Sequence, residues 1–573
     1  MNNTHTSDAP LPHAPLIIAA TFGIGGLAYS MHAASFLHPK AVIFAIGAFA
    51  LSVLWARTRP GLAWTGVMAF LPLWLYLGLG AARSLAGMSP AADRTGEAVL
   101  MLAPTLAFAS LAWPQLSYRF VQPVLLFGTV PVAALALAQY AGWADWLLPP
   151  VPTYTQAMYS VFGNQDLLGG FVAVGLVVAV QGALRREPPP GWFIAALAVL
   201  LPAWLLAGSR TAWLAGVIGI GVALVCMEIH SRRRMAWLGA AGFALALLIV
   251  WLSPIATIER VTGTFASDDE GGWLRLWFWD GTLRMIASAP VFGVGLGVFP
   301  FESPRFLGEA FLQTDWIQHK TTELAVLHAH SDPLEALAEM GLLGAALLGW
   351  MAWRLRKARG DAWGPLAVLL VFSCFNATVI SPPHAVAGLM LMACLMREGE
   401  TRSPTPSVRL SHAMPVVTGA LAALAIGFLL VPSVQLRTAQ TAHLDGEVDP
   451  ERYLWVADTS FFRPEALVSL GQWHAEQQNW LEAIMAYEAA LPNVDTGRIH
   501  LELGALYIRM GDLYTAQGYL EAATLRWPWN YDAWRLYLAT LPDETFHENL
   551  ERATGLLNEA DAERLRAVFT PAS

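Results

Sequence analysis

Thirteen apolar runs dominate this 573-residue chain, most of them long enough to cross a lipid bilayer. They lie near 15–36, 40–56, 61–82, 96–114, 119–141, 167–184, 191–207, 211–228, 236–253, 334–355, 363–380, 384–397 and 412–432, the twelfth being short. A spanning helix needs about 20 apolar residues to cover the hydrocarbon core. No water reaches the backbone there, so each run must satisfy its own N–H and C=O groups by coiling into a helix. The pattern predicts an all-α, polytopic membrane protein of about 12–13 transmembrane helices. Composition agrees: only 13% of residues are charged, against about 25% in soluble domains. The mean hydropathy is +0.47. A net charge of −9 gives no basic surface for nucleic acid, so no nucleic-acid partner is expected. The three cysteines, Cys226, Cys374 and Cys394, lie inside apolar runs, which argues against a disulfide framework or a cysteine metal site. The first fifteen residues carry no basic n-region, so the first run reads as an uncleaved helix.

Orientation follows from basic residues in the short loops, which collect on the cytoplasmic side. The even-numbered loops hold Arg57, Arg59, Arg119, Arg185, Arg186, Arg232, Arg233, Arg234, Arg354, Arg356, Lys357, Arg359, Arg397, Arg402 and Arg409. The short odd-numbered loops hold Lys40, Arg83, Arg94 and Arg210. Fifteen against four places the N-terminus in the cytoplasm and the odd loops on the far side of the membrane. Two segments escape the membrane pattern: a long ninth loop, about 254–333, and a tail, 433–573. The domain reading is therefore a membrane domain over 1–432 and a helical tail over 433–573. The tail repeats itself at an offset of 33 residues: Leu470-Gly471 aligns with Leu503-Gly504, Ala483 with Ala516, Tyr487 with Leu520 and Ala490 with Ala523. Small residues at fixed spacing let paired helices pack closely, which is the tetratricopeptide (TPR) pattern and suits a protein partner or a brace.

Polar residues gather on the same predicted face. Asn164 lies in FGNQD, Arg210 in GSR, Arg275 in WLRLWFW, and His328, His330 and Ser331 in HAHSDPLE. An arginine keeps its charge at the bilayer edge, so it either snorkels to headgroups or meets an anion. Two arginines beside a histidine suit a diphosphate at the interface, because guanidinium forks bind phosphate oxygens in bidentate fashion. His330 can exchange a proton near neutral pH, which makes it a candidate acid or base. Helix capping by Ser331 or Asp332, with Pro333 in the first turn, explains those three residues but requires neither histidine. Three further patterns carry less. FGVGLGVF lacks the βαβ setting of a dinucleotide fingerprint. The acidic Asp268, Asp269 and Glu270 read as a solvated loop tip rather than a divalent-ion site. His328 and His330 have no further ligands at zinc spacing, so no metal is expected.

These residues resemble the O-antigen ligase and O-antigen polymerase superfamily (Wzy-C), which includes bacterial O-linked oligosaccharyltransferases. One signature of that family is His, then Asn, Ser or Gln, nine residues, then Gly, matched by His330-Ser331 and Gly341. A second is Arg, three residues, Trp, then a Pro-φ-φ-Gly-Val-Gly turn, matched by Arg275, Trp279 and Pro290 to Gly295. A third is the GSR turn at Gly208-Ser209-Arg210. The fourth, FGN-x-N, is matched by FGNQD with Asp166 in place of the second Asn. The matches run in the family's order over about 160–345.

The resemblance implies many membrane helices with a large periplasmic loop lining the site, a glycan donor on undecaprenyl diphosphate, and transfer to an acceptor hydroxyl without metal or other cofactor. It implies catalytic roles for His330, Arg275 and Arg210, and substrate-binding roles for Asn164, His328 and Ser331. The acceptor is the lipid A core, a growing polysaccharide or a protein. The competing class is a non-enzymatic transporter or lipid flippase with a partner-binding tail. Against it, no repeat relates the two halves, and ionisable residues collect at one face rather than in mid-helix. The topology has a direct test: a reporter fused after Gln440 is expected to sit in the periplasm, and a cytoplasmic signal would mean an even number of spans.

Overall fold

The computed structural model describes residues 13–30, 33, 35–58, 63–88, 90–148, 158–184, 191–227, 270–312, 326–398 and 413–569. The expected ninth helix at 236–253, together with Asp268 and Asp269, lies outside the described residues. Every regular element among the described residues is helical. The chain begins with α1 (His13–Leu27), α2 (His38–Thr58), α3 (Ala63–Ala69), α4 (Leu71–Leu85), α5 (Ala92–Ala112) and α6 (Tyr118–Tyr140). It continues with α7 (Gln165–Leu184), α8 (Gly191–Leu206), α9 (Arg210–Cys226), α10 (Glu270–Ser288), α11 (Phe299–Phe311) and α12 (Asp332–Leu355). There follow α13 (Trp363–Ser373), α14 (Pro382–Glu398), α15 (Met414–Leu424) and, after a π-helical stretch at Ala425–Leu430, α16 (Val431–Leu444). The tail holds α17 (Pro450–Thr459), α18 (Arg463–Glu476), α19 (Trp480–Ala490), α20 (Gly497–Met510), α21 (Leu513–Arg526), α22 (Tyr531–Thr540), α23 (Asp543–Leu556) and α24 (Glu559–Phe569).

Among the described residues, six helical stretches are long and apolar enough to cross a membrane: His38–Thr58, Ala92–Gln115, Tyr118–Tyr140, Gln165–Leu184, Asp332–Leu355 and Met414–Leu444. Four shorter apolar helices accompany them: α1, α8, α9 and α13. The molecule is an all-α, polytopic membrane protein, as the hydropathy predicts. The departures lie at helix ends, where local chemistry overrides hydropathy. The run at 15–36 stops at Leu27, and Lys40 Nζ donates to the carbonyls of Gly26 (2.8 Å) and Ala28 (2.7 Å) near that end. The run at 61–82 breaks between α3 and α4 at Phe70, two residues before Pro72, whose nitrogen has no hydrogen to give the helix. The run at 363–380 ends at Ser373, and α14 then opens on Pro382 and Pro383. The last run continues past 432 to Leu444.

Contacts divide the chain into two compact units. Unit 1 comprises Met1–Tyr76, Leu100–Asp269 and Leu347–Leu430. In it α7 packs on α6, α8, α9 and α13, and α9 packs on α13. Small residues make this approach close: a Cβ on Gly219 would lie 2.4 Å from Val368 and 3.0 Å from the Gly364 carbonyl, and one on Gly364 would lie 2.7 Å from Ala223. Membrane helices lack a hydrophobic drive toward one another, so such backbone-to-backbone packing holds them together.

Unit 2 comprises Leu77–Val99, Glu270–Ala346 and Val431–Ser573. The loop helices α10 and α11 pack together around Phe278, Met285, Phe306 and Leu307. In the tail, α18 pairs with α19 and α20 with α21. The repeated residues occupy equivalent places in the two pairs. Gly471 faces the Tyr487 ring and Gly504 faces Leu520, while Ala483, Ala490, Ala516 and Ala523 are buried.

Lys40 is fully buried and its ammonium also lies 4.8 Å from the Phe162 ring centroid. Lys40→Met strips two carbonyls of a charged donor. The expected cost is about 1–3 kcal/mol, read as a lower melting temperature in detergent, and an unchanged temperature would contradict the assigned role.

Candidate functional site

In unit 1, two of the sequence signatures form adjoining helix N-termini. Gly163 takes φ 67°, which a side chain disfavours, and turns the chain from a short 3-10 stretch into α7. Asn164 then caps α7: its Oδ1 accepts from the backbone N–H of Asp166 (2.7 Å) and Leu167 (3.2 Å). Gly208 repeats the device at φ 68°. Ser209 caps α9 by accepting from Ala212 N–H at 3.2 Å, which makes Arg210 the first helical residue. The same Ser209 hydroxyl donates to Asp166 Oδ1 at 2.5 Å. Asp166, which stands in place of the second Asn of FGN-x-N, thus joins the two turns. Gly169 lets the helices touch, since a Cβ there would lie 2.9 Å from Ala212 and 3.2 Å from Ser209. Asn164 and Arg210 therefore stand at neighbouring helix N-termini, where the positive ends of the helix dipoles favour an anion.

The other two signatures meet in unit 2 as one backbone interlock. α12 is broken at Gly341, which adopts φ 58° and ψ −154°. The peptide groups on either side of the break turn to the 290–295 turn. Val294 and Gly295 N–H donate to the carbonyls of Ala338 and Glu339, each at 2.9 Å. Leu342 and Leu343 N–H donate to those of Pro290 (2.9 Å) and Val291 (3.1 Å). The backbones are so close that a Cβ on Gly341 would lie 2.6 Å from the Val291 carbonyl, and one on Gly293 would lie 2.2 Å from that of Glu339. Arg83 adds a clasp, donating to the carbonyls of Phe292 and of Gly293 (3.0 Å).

His330 sits just before α12 begins, on backbone of φ 50°. Non-glycine residues are uncommon there, and holding one costs about 1–3 kcal/mol unless the surroundings enforce it. The enforcement comes from Glu335, on the first turn of α12. Its Oε2 accepts from Ala329 N–H (2.8 Å), its Oε1 meets His328 Nδ1 (2.9 Å), and its own N–H donates to the Ser331 carbonyl (2.9 Å). The His330 ring stacks on Phe278 of α10, centroids 5.6 Å apart and planes 18° apart. Arg275 lies three residues before Phe278, about one helical turn, so α10 presents both on neighbouring positions of one face. The structure thus gathers Arg275, His328, His330 and Ser331 in unit 2, and Asn164 with Arg210 in unit 1. Ser331 is buried and opens α12, as the capping pattern expects.

Sequence reasoning passed over Glu335 and Glu339, both buried. Glu339 Oε1 accepts from Phe299 N–H at 3.2 Å and so holds the turn from its other end. Two acids four residues apart in an otherwise apolar run were the signal, because buried charge in such a run demands partners. Among the described residues no group of three or more His, Cys, Asp or Glu is placed to hold a metal ion.

Burial alone would lower the His328 imidazole. The Glu335 charge, its hydrogen bond, and the charges of Glu339 and Asp332 outweigh burial and hold the group above its ordinary value. A raised folded-state pKa gives stability that is present at low pH and lost as pH rises through that pKa. The melting temperature of the wild type is therefore expected to fall relative to His328→Gln as pH is raised from about 6 to about 8.5. Parallel pH profiles for the two proteins would remove His328 from the clamp.

No curated protein matches this chain. A family model described as O-antigen ligase matches residues 193–349, which hold the GSR turn, the Arg275 helix, the turn that follows it, and His330 through Gly341. With its turns and glycines accounted for by geometry, this membrane protein is similar over residues 193–349 to the O-antigen ligase family.

Proposed function

We propose that this protein transfers a glycan from undecaprenyl diphosphate to an acceptor hydroxyl at the periplasmic face of a bacterial inner membrane, as an O-antigen ligase, a polysaccharide polymerase or an O-linked protein oligosaccharyltransferase. The family match supports membrane glycan ligation in general. The observation that carries the finer reading is His330, held on left-handed backbone by Glu335 and stacked on the helix that bears Arg275. A titratable imidazole fixed beside a permanent cation suits a reaction that moves a proton from one oxygen while charge develops on others.

In this reading the acceptor hydroxyl gives its proton to His330 as its oxygen attacks the anomeric carbon. The bond to the lipid diphosphate breaks, and negative charge grows on the departing oxygens. Arg275 stabilises that charge where it develops, and a preorganised donor of this kind is worth about 10²–10³ in kcat. Arg210 is the second phosphate-binding cation, and Asn164 orients the donor. A single in-line displacement inverts the anomeric centre. The TPR-like tail serves a protein acceptor or an assembly partner.

The test is reconstitution with a lipid-diphosphate-linked glycan and candidate acceptors, following release of the lipid diphosphate. His330→Ala is expected to lower turnover by about 10²–10⁴. Arg275→Ala is expected to lower it by about 10²–10³, with Arg275→Lys intermediate. Full transfer by His330→Ala would sink the assigned role.

A further inference from the structure

Within unit 2 the tail meets the loop helices at the end of α21 and at the connection that follows it, Trp527-Pro528-Trp529, between α21 and α22. Trp529 is buried, with its ring centroid 4.3 Å from that of Phe311 on α11 and 5.7 Å from that of Trp277 on α10. Beside it, Gly308 of α11 meets the last turn of α21 so closely that a Cβ there would fall 1.8 Å from the Leu525 carbonyl oxygen. Trp277 Nε1–H donates to the Leu307 carbonyl at 3.0 Å, which ties α10 to α11. The next residue, Phe278, lies 5.5 Å from the Trp277 ring and stacks on His330. Trp529, Trp277, Phe278 and His330 therefore form an unbroken series of ring contacts from the tail to the candidate base, and Arg275 lies two residues from Trp277.

A second tie runs through the start of α5. Arg94 pairs with Glu465 of α18 at 2.5 Å, and Asp93 N–H donates to Asn493 Oδ1 at 3.2 Å. One residue on, the Thr95 hydroxyl donates to the Leu296 carbonyl at 2.7 Å, just beyond the turn that Gly341 locks. The tail thus grips both the Arg275 helix and the turn that follows it.

We propose that Trp529 is a positioning residue of the transferase site, through which the C-terminal helices hold α10 so that Arg275 and Phe278 keep their register on His330. The proposal rests on the glycan-transfer reading above. Interiors packed ring on ring transmit displacement rather than absorb it. A misplacement of about 1 Å arising far from the chemistry can lower turnover about 10²-fold.

The experiment uses the full chain in lipid nanodiscs and compares wild type, Trp529→Ala, Trp529→Phe and Gly308→Val. It reads hydrogen exchange over 270–288 and 480–510, and kcat and KM for a lipid-diphosphate-linked glycan. Trp529→Ala is expected to speed exchange over 270–288 about tenfold while leaving 480–510 protected. Its kcat is expected to fall by about 10- to 100-fold with little change in KM. Trp529→Phe keeps a ring in place and is expected to restore both. Gly308→Val pushes α21 from α11 without touching Trp529 and is expected to loosen 270–288 as well. Wild-type exchange over 270–288 in both Trp529→Ala and Gly308→Val overturns the proposal. So does faster exchange with unchanged kcat, since the helix would then move without consequence for the site. A wild-type chain that releases no lipid diphosphate overturns the transferase reading, whereas an active wild type with unchanged exchange in the variants overturns the brace alone.

Discussion

The four backbone hydrogen bonds between the 290–295 turn and the break in α12 are the constraint on which the unit 2 site depends. A helix interrupted in an apolar run leaves peptide groups without partners, and each costs several kcal/mol in hydrocarbon unless another group answers it. Here the turn answers them, and only glycine at 293 and 341 lets the two backbones come close enough to do so. The break frees the first turns of α12 to carry two acids, Glu335 and Glu339. Both are spent on backbone N–H groups that fix the approach of the chain on either side. His330 inherits its conformation from that arrangement.

The same logic, a polar side chain committed to a backbone group, shapes the other signatures. Asn164 and Ser209 are caps before they are anything else, and Asp166 binds one cap to the other. Capping does not exclude a binding role at these positions. A cap fixes the N-terminus of a helix, and a fixed N-terminus is what holds Arg210 and the adjoining N–H groups where an anion would meet them. The pattern of residue types at these positions is thus in part a pattern of turns.

The tail belongs to this account as packing, through Trp529, Gly308 and Arg94, rather than as an appendage. Its internal repeat was plain in the sequence because the small residues recur at a constant offset. Its attachment was not, because Trp529 falls after the second repeat, in a connection whose composition alone says only that a turn occurs there.

Hydropathy determined the helical class and most of the helices by itself, since the bilayer leaves a long apolar run no other way to satisfy its backbone. The spacing from His330 to Gly341 and the four ordered signatures were also legible, and they marked the candidate site. What only the tertiary structure decided is why those spacings matter. The end of α1 and the break inside α12 fall where a distant partner, Lys40 for the one and the 290–295 turn for the other, takes up unpaired peptide groups. Glu335 and Glu339 stayed hidden within an apolar run because their partners, Ala329 and Phe299, are supplied by chain that sequence leaves undetermined in space. A one-dimensional pattern records which residues avoid water. It does not record which backbone N–H or carbonyl each polar group will meet, and that is settled by close packing of segments far apart in the chain.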